Sequence, residues 1–395
     1  MSIQGEQVLT VDEREALFRP TETAHGLPGR VYFDPEIYER ERLTVFTKYW
    51  VAAGFGSDIP ESGDVMPVTI AGRELILVRT SEGTVKCFHN LCRHRGMKLV
   101  SQAGNMRNIR CPYHSWVYSL QGELKGTPAI QGIGKHSAPS IEPDTLGLVE
   151  VRSAQWFDII FINIDGAAEP FDDYIKPVRD RLEPYFDFSL MRSGGDALDQ
   201  TYPVNWKIVL EGGIEDYHLP FVHRALSHSP LYQVELGGET YGGFSSAVRP
   251  IETVSKRFID EETKEVIQTF PVFPKMQESG EGHGCTLFIY PSLVVTCDVN
   301  VMKANISHPR GPTETEARIR GYFIGDAAVS PEYAPAREQF YRFWTEILGE
   351  DDGIWKDVQL LTRTRSEAGV ETRFSPHWEQ ALHNFQRYWA THIEG

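Results

Sequence analysis

The sequence predicts an α+β chain of two domains, a small antiparallel β domain followed by a larger one. Three observations carry this expectation. The 395 residues exceed what a single hydrophobic core usually organises. Short alternating runs, VMPVTIAG (65–72), RELILVRT (73–80) and GTVKCFHN (83–90), are separated by Ala-Gly and Glu-Gly turns, which is hairpin patterning. The stretch EGGIEDYHLPFVH (211–223) then switches to an amphipathic helical pattern interrupted by a proline. The most apolar stretches, WFDIIFINI (156–164) and LFIYPSLVVTC (287–297), read as buried strands and are far too short to span a membrane.

Composition narrows the function classes. Charged residues make up 24% and hydrophobic ones 41%, the balance of a soluble globular protein. Thirty-nine basic against 55 acidic side chains leave a net charge of -16, which repels nucleic acid phosphates. The opening MSIQGEQVLTVDERE has no basic segment followed by an apolar run, so no secretory signal is expected. Five cysteines, an odd number, then point to a reducing cytoplasm rather than a disulfide framework.

Two of those cysteines have histidine companions. Cys92-Arg93-His94 is followed, sixteen residues on, by Cys111-Pro112-Tyr113-His114. Each half offers one thiolate and one imidazole. A zinc finger groups its cysteines in one half and its histidines in the other. Mixed halves suit an asymmetric cluster in which one iron takes both sulfurs and the other both imidazoles, the Rieske [2Fe–2S] centre. Arg93, Arg95 and Arg110 adjoin the ligands and would favour the reduced, more negative state. From Gly83 to Gly122 the chain has no acidic residue, which makes Lys86, Lys98 and Arg107 a candidate basic rim for an acidic electron donor.

His218 and His223 form a second candidate site. At i and i+5 they lie about 140° apart on an ideal helix. Pro220 between them would kink or bulge the helix and could bring both imidazoles to one metal. Glu215, three residues before His218, would share its helical face.

Together WVAAGFGSDIP (50–60), CRHRG (92–96), CPYHSWVY (111–118), NWK (205–207) and EDYHLPFVH (215–223) resemble the catalytic α subunit of Rieske non-haem iron oxygenases. The resemblance spans nearly the whole chain. It implies an N-terminal segment (1–45) packing on the catalytic domain, a β-rich Rieske domain (46–165), and a catalytic domain (166–395) whose central antiparallel sheet is covered by helices. It implies a [2Fe–2S] cluster on Cys92, His94, Cys111 and His114. It also implies a mononuclear Fe(II) on His218, His223 and a downstream carboxylate, which spacing to Gln359 makes Asp351, with Asp352 the competitor.

In the same family pattern Glu215 bridges a mononuclear-iron histidine to a cluster histidine of the neighbouring subunit, with Asp216 the rival. That wiring suits a closed ring, and the resemblance implies a homotrimer. The partners are O2, a small-molecule substrate and an NAD(P)H-dependent reductase or ferredoxin; nucleic acid and membrane are not expected. Glu at 215 resembles the group acting on quaternary ammonium compounds. Hydroxylation of an aromatic acid and a bare Rieske electron carrier are the competing readings, although a carrier leaves some 230 residues unexplained.

Many members carry Glu-Asn where this chain has Glu211-Gly212, so a side-chain donor near the iron is missing, with Asn205 and Tyr217 as candidate replacements. Tyr202, Trp206, Tyr217, Phe221, Phe288 and Tyr290 are candidate aromatic faces for a substrate cation, and Arg249 and Lys303 candidate anchors for a carboxylate.

Overall fold

The computed structural model describes residues 7–195, 197–223, 233–236, 241–250 and 269–394, the 233–236 and 241–250 segments as backbone only. The chain divides into two units, one from Phe46 to Phe171 and one formed by the residues up to Val45 together with those from Asp172 onward.

The unit from Phe46 to Phe171 is built from antiparallel strands. β1 (Val51–Phe55), β2 (Asp64–Ile70), β3 (Arg73–Arg79), β4 (Val85–His89), β5 (Gly104–Asn105), β9 (Glu150–Trp156) and β10 (Ile159–Asn163) form a sheet in the order β1-β10-β9-β4-β3-β2-β5. A smaller sheet joins β6 (Ile109–Arg110), β7 (Val117–Tyr118) and β8 (Leu124–Gly126). Ala71 and Gly72 link β2 to β3 with φ of 50° and 66°, the two left-handed residues of a tight hairpin turn. Ile76, Val78, Phe88, Trp116 and Tyr118 form the core, and Cys92 and Cys111 are buried within it.

Two loops in this unit repeat one construction. Cys92 N–H donates to Met97 O (2.8 Å) and Gly96 N–H to Cys92 O (2.9 Å). Cys111 N–H donates to Trp116 O (2.8 Å) and Ser115 N–H to Cys111 O (3.0 Å). The fifth residue of each loop is left-handed, Gly96 at φ 68° and Ser115 at φ 59°. Glycine takes that conformation freely; serine holds it at a cost that the surrounding loop must offset. Buried Asn90 closes the first loop, accepting from Leu99 N–H and Val100 N–H (3.0 and 2.9 Å) and donating to Val100 O (2.7 Å).

In the other unit β11 (Met191–Ser193), β12 (Leu198–Tyr202), β13 (Gln233–Leu236), β14 (Tyr241–Pro250), β15 (Glu281–Ile289), β16 (Leu293–Cys297), β17 (Val301–Gly311) and β18 (Glu314–Ile324) form an eight-stranded antiparallel sheet, ordered β11-β18-β17-β16-β15-β14-β13 with β12 also paired to β18. Helices Trp206–Ile214, Ala334–Glu367 and Gln380–His392 belong to this unit.

The two apolar stretches differ from expectation in the same way. WFDIIFINI is the corner between β9 and β10, turned at Phe157 with φ 54°. LFIYPSLVVTC is the hairpin of β15 and β16, turned around Pro291. Burial on both sides of a turn hides the turn from a hydrophobicity reading.

A buried charge pair ties the helices to the N-terminal segment. Glu41, on helix Pro35–Leu43, accepts from Lys207 Nζ (2.5 Å), Trp206 Nε1 (2.9 Å) and Trp389 Nε1 (2.6 Å). Glu41 and the Lys207 side chain are both fully buried. Asn205 caps the Trp206 helix, its Oδ1 accepting from Lys207 N–H (3.0 Å), while its backbone N–H donates to Gln359 Oε1 (2.7 Å) on the long helix. The NWK motif is thus a cap, a donor and a counter-ion. Removing one partner of such a pair leaves an uncompensated buried charge worth about 3–5 kcal/mol. Lys207→Met is therefore expected to lower the chemical-denaturation midpoint of this unit sharply, whereas Lys176→Met, at an exposed pair with Asp180, is expected to leave it unchanged within error.

Candidate metal centres

The cluster motif occupies the tips of the twin loops. Cys92 and Cys111 are 1% exposed, whereas His94 is exposed and His114 half-buried. The two imidazoles meet edge to face with centroids 4.7 Å apart. His94 stacks on Trp116 at 4.9 Å, and Tyr113 lies over His114 at 3.7 Å. His114 Nδ1 is sealed from solvent and has no hydrogen-bond partner. An orphaned buried nitrogen of this kind is costly unless it binds a metal. Burial raises the Cys92 thiol pKa, so a thiolate there requires a bound cation. Two buried sulfurs and two imidazoles fit the donor set of a Rieske cluster.

Tyr118, unrecognised in the sequence, places its hydroxyl 3.3 Å from Cys92 Sγ and accepts from Arg93 N–H (3.0 Å). That backbone bond occupies the oxygen as an acceptor and leaves its O–H to the sulfur, a contact that favours the reduced state.

The basic rim is partly neutralised in space. Lys86 pairs with Glu150 (3.1 Å) and Lys98 with Glu74 (2.5 Å), carboxylates from β9 and β3 that lie outside the acid-free sequence window. Arg93 turns to Gly147 O (2.8 Å), and Arg95 lies over Tyr113. Arg107 and Arg110 remain exposed.

The second site begins where the Trp206 helix ends. The sequence suggests one helix kinked at Pro220, but the helix stops at Ile214 and Glu215 is extended (φ -112°, ψ 146°). A one-turn helix, Leu219–Val222, follows with Pro220 in its first turn, where a missing N–H costs nothing. His218 and His223 flank that turn. Glu215 does not act through a shared helical face. Its Oε2 accepts from Tyr217 N–H and His218 N–H, and its Oε1 lies 2.5 Å from His218 Nδ1.

The long helix Ala334–Glu367 supplies the third group. Phe340, Ile347, Asp351, Trp355 and Thr362 are buried along it, so Asp351 is a carboxylate on an inward stripe. His218 Nε2, His223 Nε2 and Asp351 Oδ1 form a triangle with sides of 3.2, 3.1 and 3.7 Å. Ligands about 2.1 Å from a metal and at right angles stand about 3 Å apart, so the triangle fits one face of a coordination sphere. Asp352 turns away to Lys356 (2.5 Å).

Glu350, to which the sequence reading gave no role, receives His223 Nδ1 at 2.8 Å. Its signal was the rule that a ligating imidazole needs its second nitrogen satisfied. Burial lowers the His223 pKa, but Asp351 and Glu350 outweigh it and hold the imidazole above its ordinary value. The pocket therefore favours positive charge, as a proton or as a metal cation. Asp216, the rival of Glu215, has its carboxyl pushed up to about 6 by burial and by Glu215, and bonds neither histidine among the described residues.

The candidate substrate residues scatter. Trp206 belongs to the Glu41 cluster, and Phe288 and Tyr290 are buried. Tyr217 and Phe221 are exposed, Tyr217 stacking on Trp378. Tyr202 packs edge-on against Trp355 at 5.1 Å. Lys303 directs its ammonium at the Trp344 ring, 3.1 Å from its centroid, and the Arg249 side chain lies outside the described residues. Of the candidate replacement donors near Gly212, Asn205 spends its amide on Pro312 O (2.7 Å) and Tyr217 faces outward; a Cβ at Gly212 would meet Trp355 instead.

Comparison with known proteins accords with these two centres. Residues 49–139 match the Rieske [2Fe-2S] domain, and residues 180–395, more than half of the chain, match the ring hydroxylating alpha subunit (catalytic domain). The glycine betaine monooxygenase oxygenase subunit of Chromohalobacter salexigens is 30% identical over 220 residues, 55% of this chain and 47% of that protein. The carnitine monooxygenase oxygenase subunit of Escherichia coli is 29% identical over 208 residues, 52% of this chain and 54% of that protein. The matched region thus spans about half the length of these curated relatives. The fold matches that of a quaternary ammonium Rieske monooxygenase, CntA, in its apo form, with a TM-score of 0.76 at 19% identity, over 98% of this chain and 99% of that one. A Rieske [2Fe–2S] domain followed by the catalytic domain of mononuclear-iron oxygenases makes this chain a member of the ring-hydroxylating alpha subunit family.

Proposed function

We propose that the chain is the oxygenase component of a multicomponent system. It uses O2 and electrons from a separate reductase or ferredoxin to hydroxylate or oxidatively N-demethylate a small quaternary ammonium compound. The carrying observation is the triangle of His218, His223 and Asp351 in a chain that also has a Rieske domain. Similarity to the glycine betaine subunit and the Glu at 215 support the substrate class.

A cluster held by the two loops would supply single electrons, and an iron held by His218, His223 and Asp351 would supply dioxygen chemistry. The chain's own residues prepare that chemistry. Cys92, His94, Cys111 and His114 hold the cluster, and Tyr118 steadies Cys92. Glu215 and Glu350 keep the protons of His218 and His223 on Nδ1, so both Nε2 lone pairs face the triangle. Asp351 supplies the negative charge of the triangle.

Glu215 Oε1 retains a lone pair for a second imidazole, which supports a bridge to a cluster histidine of another copy. Such head-to-tail contacts close as a ring, and three copies is the proposed number, in a cytoplasmic enzyme. Exposed Arg107 and Arg110 are the proposed face for an acidic donor.

Cys111→Ser is expected to lose the visible [2Fe–2S] spectrum. Asp351→Asn is expected to keep the spectrum, lose one iron of three by metal analysis and lose turnover at least a hundredfold. Asp352→Asn should resemble wild type; the reverse pattern would move the ligand to Asp352. Incubation with reductant, O2 and a panel of methylammonium compounds is expected to release formaldehyde from at least one. Hydroxylated product from aromatic acids alone would overturn the substrate class. Light scattering of the active species is expected to give three chains, and a fully active monomer would refute the ring.

A further inference from the structure

Gly212 and Gly213 stand side by side in the Trp206 helix, where glycine is less favourable than alanine by about 1 kcal/mol per residue. Their surroundings differ. A Cβ added at Gly213 would meet nothing within 4 Å. One added at Gly212 would stand 2.3 Å from Trp355 Nε1, closer than real Cβ atoms come, and 3.0 Å from its Cε2. The indole edge lies in the space that a side chain at 212 would take. Trp355 is one turn beyond Asp351 on the same inward stripe of the long helix and is only 6% exposed. It also packs edge-on against the Tyr202 ring. Gly212 is three residues before Glu215 and six before His218.

The contact therefore joins the helix that leads into the two histidines to the helix that carries the carboxylate. We propose that the Gly212–Trp355 contact is a positioning joint. By letting the indole seat directly against the Trp206 helix, it sets the separation between the His218/His223 segment and Asp351, and so the size of the ligand triangle. Trp355 is a positioning residue, acting through Asp351. A Cβ at 212 pushes the long helix outward and opens the sides of the triangle that end on Asp351 Oδ1. The side between the two histidines is unaffected, because both belong to one short segment.

This inference rests on the metal reading of His218, His223 and Asp351. The test uses the full chain with its cluster intact and its mononuclear iron removed by anaerobic chelation, titrated with Co(II) in a calorimeter. His218→Ala is the control for that reading: if it binds Co(II) like wild type, the metal assignment fails and the joint with it. Given loss of binding in His218→Ala, Gly212→Ala is expected to weaken Co(II) at least tenfold, the scale of a disturbed outer partner. Gly213→Ala is expected to bind Co(II) like wild type and to be slightly more stable.

In a Trp355→Ala background, where no indole can clash, Gly212→Ala is expected to change affinity by less than twofold. A side chain that merely packs would shift thermal stability without this coupling. Wild-type Co(II) affinity in Gly212→Ala, or equal weakening in both backgrounds, overturns the joint. Should Gly212→Ala not fold, Trp355→Ala alone decides. Removing the indole is expected to weaken Co(II) severalfold with the cluster spectrum unchanged, and unchanged affinity overturns the proposal.

Discussion

An ammonium with no access to water sits at the base of the Trp206 helix, and the catalytic unit is organised around making it tolerable. Lys207 cannot be buried alone; the desolvation cost is several kcal/mol. Glu41 neutralises it, and Glu41 in turn has its remaining oxygen sites filled by two indole N–H groups, Trp206 and Trp389. These groups come from three helices, so satisfying one charge fixes their relative placement. The rings of Tyr32, Trp206 and Trp389 surround the ammonium at 5.2–5.5 Å, adding quadrupole attraction.

From that base the order passes upward along the same helix. Glu211, one turn beyond Lys207, is half-buried and takes hydrogen bonds from Tyr32 Oη and Gln386 Nε2 (2.8 and 2.9 Å). Burial pushes its carboxyl up to about 7, which Tyr32 and Gln386 only partly reverse. Its folded value lies above the ordinary carboxylate value. The protonated form thus lends stability that is complete at acid pH and fades as pH rises through about 7. Beyond Glu211 the helix has no side chain at 212 and ends at 214, releasing the backbone for the turn that carries both histidines.

Much of this was legible in the sequence, but for unequal reasons. The β hairpins of the first unit announced themselves through alternation and left-handed turn residues, because backbone sterics act locally. The candidate ligands stand out because few residue types bind iron: Cys92, His94, Cys111, His114, His218 and His223 are conspicuous by chemistry. Position in space is not. The break at Glu215 reads in the sequence as a kink at Pro220, since a proline is visible there and a carboxylate that caps its own following turn is not. Lys86 and Lys98 looked uncompensated because Glu150 and Glu74 are distant along the chain and adjacent only across the sheet. Glu350, Tyr118 and Trp355 are inconspicuous in the sequence for the same reason: their contacts exist only once two remote segments meet.

The twin loops of the first unit carry a further consequence. Each presents one cysteine and one histidine from the same turn, closed by the same pair of backbone hydrogen bonds. If the sulfurs serve one iron and the imidazoles the other, each loop alone can offer either iron only a single bond. Neither metal can then be gathered by half of the site and completed later. On that reading, damage to one turn would remove a ligand from both irons at once. The duplicated loop would thus make the two halves of the centre dependent on each other: neither turn alone offers a complete pair of ligands to either iron.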